Sequence, residues 1–418
     1  MGYFTKCKTN LFLAVIFLLS IGVGVSLKAD AATNVVRVTT SKEIFAALKN
    51  AEPGDEIVIA EGTYLGQLGS SGSGHGSSFF NSDSEGTQEA PIILRSENPD
   101  NKSILSGSRI SSGNVLRITG DHWIIKDLEI TYAQKGIMLD HSNYTVIENC
   151  DVYDVGMEGI HFRDNSSYNT VDNCTVSDTG KQTPAYGEAI YVGSAKSAWS
   201  TYGESCHYNT IKNSHLGPNV TAEHVDIKEG TIGTVVENCV MDGIGMTGLN
   251  YADSFVDAKG NDAVIRFNTC YRNNNAVIVD AFQVHCQLTG WGLNNEFLNN
   301  TVYLDDASAY ILNVQNTVSA AAEGNIRYPA GNTYKGDVTV NGEPSDPTDP
   351  VDPIDPVDPI DPVDPTEPSE QQDTYDAAKA YVAGDIVIYQ GKTFKAKWWT
   401  QGTAPSVSDT WGPWQLVD

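Results

Sequence analysis

Seven short apolar runs recur along this chain, and each closes on a small polar turn. Examples are Trp123-Ile124-Ile125-Lys126-Asp127-Leu128, Thr145-Val146-Ile147-Glu148-Asn149-Cys150 and Thr234-Val235-Val236-Glu237-Asn238-Cys239. The turn residues Asp127, Asn149, Asn173, Asn213, Asn238, Asn268 and Asn300 stand 22, 24, 40, 25, 30 and 32 positions apart. A period in the twenties, with β-branched runs between Asn turns, predicts an all-β, parallel β-solenoid. Asn suits the turn because it tolerates left-handed backbone angles and can bond to the same turn one coil away. A β-sandwich has no reason to keep one Asn at one place per repeat. The longer intervals are coils carrying inserted loops.

A second pattern alternates within the copies. In Glu223-His224-Val225-Asp226-Ile227-Lys228-Glu229-Gly230, Val225 and Ile227 point one way, and Asp226 and Lys228 the other. Ile160 and Phe162 flank His161 before Arg163, Ile190 and Val192 flank Tyr191, and Val256 and Ala258 flank Asp257 before Lys259. Stacked strands lie about 4.8 Å apart, so Asp226 is expected beside Asp257 and Lys228 beside Lys259. Glu158, Glu188 and Glu223 align where their strands begin, with Asp253 or Asp280 continuing the file. Adjacent carboxylates repel one another unless a proton or a cation sits among them. Oxygen ligands from several coils would suit calcium, with Glu188, Glu223 and Asp253 as the ligand candidates. The catalytic candidates are Asp226, Lys228, Asp257 and Lys259; His161, Arg163, Tyr191, Gln283 and His285 are the candidate substrate contacts.

The remainder of the chain frames this domain. Two lysines in the first eight residues, an apolar run over 11–27 and Ala29-Asp30-Ala31 form a secretory leader at 1–31, so export is expected, with no later membrane span. Thr40-Ser41-Lys42-Glu43 has the form of a capping box opening a helix whose apolar face is Ile44, Ala47 and Leu48. Such a helix can cover the open end of a solenoid, here placed at 34–343. Residues 65–90, rich in Gly and Ser, read as a surface loop. The Asp-Pro tract at 344–373 has too little apolar surface for a core and reads as a stiff spacer. Net charge is −27, from 26 basic and 53 acidic residues, which argues against a nucleic-acid partner. Of seven cysteines, none forms a C-x-x-C pair. Cys150, Cys174 and Cys239 each follow an Asn and read as a buried stack of small side chains, disulfides between copies being the open alternative. Nothing in the pattern calls for an oligomer, so a monomer is expected.

The cap, coils and Asn turns resemble a right-handed parallel β-helix of the pectate-lyase type. The stretch from Lys42 to Tyr64 is similar to the opening of polysaccharide lyase family 6, and family 9 pectate lyases share the architecture. That resemblance implies a calcium-assisted lyase acting on a uronic-acid polysaccharide such as pectate, alginate or glucuronan. The Glu223-to-Lys228 spacing is similar to the family 6 motif, which implies a calcium ligand at Glu223 and the C5 base at Lys228. The chain departs from that motif where Thr221 replaces a second acidic ligand and Lys259 stands for an arginine. Ala380-Tyr381-Val382-Ala383-Gly384-Asp385, Ala396-Lys397-Trp398-Trp399 and Trp411-Gly412-Pro413-Trp414 closely resemble carbohydrate-binding modules of families 5 and 12. That implies a module at 374–418 for insoluble chitin or cellulose, with Tyr381, Trp398 and Trp399 as sugar contacts. Two other readings stay open on the residues alone. One is a glycoside hydrolase using Asp226, Asp257 and Glu188; the other is a non-catalytic adhesin.

Overall fold

In the computed structural model of the protein, residues 34–70, 77–315, 317–341, 374–377, 379–381, 386–396, 400–401, 404–406 and 414–417 are described. The leader and the spacer fall outside them. The described residues divide into two units, split near Pro347.

Three sheets of 12, 10 and 11 strands, parallel except where the edge strand Gly69–Ser70 joins the third, build the larger unit. Each coil contributes one strand to each sheet, and equal positions stack in register. Ile125, Ile147, Val171, Ile211, Val236, Ile265 and Phe297 succeed one another in this way. All of them are fully buried. Each such side chain contributes about 1.5–3 kcal/mol, which explains why one apolar residue per short strand suffices to hold a rung. The helix Ser41–Asn50 covers the first coil, burying Ile44 and Leu48. Thr40 Oγ1 accepts a hydrogen bond from Glu43 N at 3.2 Å, as the capping pattern predicts. The Glu43 carboxylate reaches back to Thr39 N at 2.7 Å.

Two sequence expectations need correction. Residues 65–90 are not all loop: Ser77–Ser82 is a strand of the third sheet, and Phe79 and Phe80 lie fully inside the core. The Ser and Gly around them hid a strand in which Ser78, Phe79 and Phe80 are buried in succession. The turn residues also slip. Asp127, Asn149, Asn173, Asn213 and Asn238 adopt the left-handed conformation, but on the next two coils Phe267 and Asn299 do so instead. Asn268 and Asn300 are buried one position later, level with Cys150, Cys174, Ser214 and Cys239. There each side chain bonds to a neighbouring coil. Ser214 Oγ accepts from Cys174 N at 3.1 Å, Asn268 Oδ1 from Cys239 N at 2.9 Å, and Asn300 Oδ1 from Asn268 N at 3.0 Å. Cys150, Cys174 and Cys239 are buried free thiols.

The smaller unit has a three-stranded antiparallel sheet, Ile386–Tyr389, Lys392–Ala396 and Trp414–Leu416, and a pair formed by Ala380–Tyr381 and Thr400–Gln401. Its core is Tyr381, Val387, Phe394 and Trp414. Tyr381 is 1% exposed and packs edge-on against Trp414, with ring centres 5.2 Å apart. It is therefore a core residue and not an exposed sugar contact. Trp398 and Trp399 lie outside the described residues.

Candidate active site

The outward side chains of the third sheet form the expected row. Strand register sets Met138 against His161, His161 against Tyr191, Tyr191 against Asp226, Asp226 against Asp257 and Asp257 against Gln283. Two residues further along their coils, Lys228 and Lys259 turn back onto the aspartates. Lys228 Nζ lies 2.6 Å from Asp226 Oδ2. Lys259 Nζ is clamped between Asp226 Oδ1 at 2.7 Å and Asp257 Oδ2 at 2.6 Å. His285 Nδ1 completes the chain, 2.7 Å from Asp257 Oδ1. Gly193 makes room for this packing: at φ +95°, a Cβ there would stand 3.2 Å from Lys228 Cβ and 2.7 Å from Thr231 Cγ2.

Glu188, Glu223 and Asp226, all buried, bring one carboxylate oxygen each within 4.8 Å of the others. Glu188 Oε2 has no hydrogen-bond partner. Burial, then the charges of Glu158, Asp226 and Glu223, push the Glu188 carboxyl well up. Burial and Asp226 raise Glu223 to about 8. Three crowded carboxylates with an unpaired buried oxygen fit a hard divalent cation such as calcium. Asp253, expected as a ligand, is not in this group. Ser254 occupies the rung position above Glu223, and Asp253, one residue earlier, accepts from Gln283 Nε2 at 2.8 Å. Asp226 takes its place.

The lysines sit in strongly acidic company. Burial alone would lower Lys228 and Lys259, but the carboxylates overcome it and raise both, Asp226 first in each case. Burial would likewise raise Asp257, yet Lys259 and His285 hold it well below the ordinary carboxylate range. Burial and then the Asp226 charge push the half-buried Tyr191 phenol well up. Lys228 Nζ stands 5.0 Å from the centre of that ring.

The remaining candidates divide. His161 Nε2 pairs with Gly193 O at 2.9 Å, and its ring meets Tyr191 edge-on at 4.5 Å. Burial and the charges of Lys135 and Arg163 keep it neutral. Arg163 belongs to a separate cluster, binding Asp140 at 2.6 Å beneath Tyr202. Lys135, which pairs with Glu158 at 2.8 Å, was not anticipated. It stands four residues before Leu139 on a coil whose own row residue is the apolar Met138, so no polar alternation marked it.

A family described as the Pel9A-like, right-handed β-helix region matches residues 24–193, and carbohydrate-binding module family 5/12 matches 374–415. The crystal structure of an alginate lyase from Paenibacillus sp. str. FPU-7 is 50% identical, with a TM-score of 0.70. The match covers 74% of this chain and 100% of that one. Pectate lyase Pel9A shares the fold at 16% identity and a TM-score of 0.53, over 75% of this chain and 79% of its own. A chitinase A from Pseudoalteromonas piscicida is 50% identical over 38 residues, which is 9% of this chain and 5% of that protein. The chain is thus a polysaccharide lyase of the Pel9A-like, right-handed parallel β-helix family, and it carries a family 5/12 carbohydrate-binding module.

Proposed function

We propose that the protein is a secreted lyase that cleaves a uronic-acid polysaccharide, alginate foremost, by β-elimination. In this reading calcium is held by Glu188, Glu223 and Asp226, and the C-terminal module binds insoluble chitin. The single observation that carries the reading is the buried, partnerless Glu188 oxygen in a carboxylate triad beside Lys228. Alginate is favoured by the 50% identity that spans the whole alginate lyase named above. The leader supports secretion, and the short chitinase match supports chitin as the module's ligand.

Elimination takes the proton from C5, forms a C4=C5 double bond, and expels the O4 oxygen with a proton. Bound calcium would neutralise the sugar carboxylate and so acidify C5–H. Lys228 is the base. Were Asp226 engaged as a ligand, Lys228 would lose the counter-charge that keeps it protonated. Lys259, still paired with Asp257, and the protonated Tyr191 are positioned to neutralise charge and return a proton to O4.

The test follows the ultraviolet absorbance of the unsaturated product on alginate, polygalacturonate and glucuronan, with calcium and with chelator. Alginate should give a rise that chelator suppresses and that Lys228→Ala lowers by about 10²–10⁴. New reducing ends without the ultraviolet signal would replace the lyase reading by hydrolysis. A module severed from the β-helix should carry chitin binding with it, read by pull-down on chitin beads.

A further inference from the structure

Beyond Asp257 the outward row continues through Gln283, Asn313 and Lys335. A cavity of about 340 Å³ opens there. Outward side chains of a solenoid are normally wet, yet Asp280 is 2% and Gln283 5% exposed. Ile278, Val279, Ser308, Ala309 and Tyr310 line the cavity together with them. Gln283 Nε2 bridges Asp253 Oδ1 at 2.8 Å and Asp280 Oδ2 at 3.1 Å, and Asn313 Nδ2 reaches Asp280 Oδ2 at 2.8 Å. This gives a fixed floor of carboxylates locked by amides. Next on the same row after Asn313, Lys335 holds its Nζ 5.7 Å from the centre of the Tyr310 ring.

Such a floor accepts hydrogen bonds, so it reads hydroxyl groups and repels a carboxylate. Burial already raises Asp253 and Asp280, and a second anion against them would cost more. The lysine at the end of the row supplies the complementary charge. The floor strand Asp280–Val284 stands two rungs from Val225–Ile227, about 10 Å along the axis. Each rung is close to the length of one pyranose ring, so a polymer threaded past Lys228 and Lys259 arrives at the cavity.

We propose that this cavity is a distal subsite for one uronosyl residue of the substrate. Its hydroxyls lie on Asp253, Gln283 and Asp280, and its carboxylate faces Lys335. The inference rests on the lyase reading above, and it assigns Lys335 a specificity role that the catalytic row does not predict.

The experiment compares kcat/KM on alginate oligosaccharides of increasing length for wild type, Lys335→Ala and Lys335→Arg. Wild type should gain once the oligosaccharide is long enough to enter the cavity. Lys335→Ala should shrink that long-over-short advantage about tenfold, mostly through KM, and Lys335→Arg should restore much of it. An equal loss at every length, or no loss at any, overturns the subsite. If wild type cleaves no oligouronate, the lyase reading fails instead. Calorimetric binding of the same oligosaccharides then decides the subsite alone: about tenfold weaker binding by Lys335→Ala upholds it, and unchanged binding overturns it.

Discussion

Replacing Glu223 by Gln tests the carboxylate triad without relying on turnover. Without a cation, Glu223 is raised to about 8, against an ordinary 4.5. The folded protein therefore holds its proton more tightly than the unfolded chain does. Stability on this account is complete below pH 4.5 and is lost as pH rises toward 8. At about 1.36 kcal/mol per pH unit, the loss is roughly 1 kcal/mol at pH 5.5 and roughly 3 kcal/mol at pH 7. The isosteric amide carries no charge at any of these pH values. Glu223→Gln should therefore be the more stable protein in chelator, by a margin that widens with pH. Excess calcium should reverse the comparison. At a thousandfold excess over Kd, wild type gains about 4.1 kcal/mol, and the variant, short of one ligand, gains far less. Urea titrations at pH 5.5 and 7, each with chelator and with calcium, give all four numbers. A variant less stable than wild type in chelator at pH 7, or one with the full calcium gain, would refute the triad as a cation site.

Two further outcomes concern the scaffold. Asn300→Ala strips the partner from Asn268 N and from Ile265 O, which Asn300 Nδ2 reaches at 2.8 Å. It should cost about 2–4 kcal/mol and lower Tm by roughly 5–10 °C, so a melt within about 1 °C of wild type would remove the inner ladder from the account. His224, fully buried, pairs through Nε2 with Asp242 O at 2.8 Å, and burial lowers it to about 4. The fold favours its neutral form, so this stability is full above pH 6.5 and falls by about 3 kcal/mol as pH drops toward 4. His224→Gln should flatten the fall measured by urea titration between pH 7.5 and 4.5, and equal slopes would speak against it.

The solenoid was legible because rung stacking makes one sequence position into one spatial column. Ile125 through Phe297 could be placed from spacing alone. The turn was less legible, because two adjacent columns both accept Asn for different reasons. The outer column needs a residue that tolerates positive φ, and it takes Asn149 or Asn238. The inner column needs a buried acceptor for the preceding coil's N–H, and it takes Asn268 or Asn300. Counting Asn merges the two. Phe267, with φ 56°, shows that the outer column does not even require Asn.

The site divides along the same line. Alternation placed Asp226 against Asp257 and both lysines on their face, since a strand's period of two leaves no freedom once one face is apolar. Asp253 went wrong because it precedes its strand, where an inserted loop sets the register. An offset of one residue sets Ser254 level with Glu223, so Asp253 meets Gln283 and Asp226 completes the carboxylate triad. The cavity around Lys335 was illegible for a stronger reason. Its floor follows from the row, but its lining also takes in residues near 278 and 308, which share no spacing with the row. In a β-helix, then, the strands announce which chemistry is available, and the loops decide which sugar reaches it.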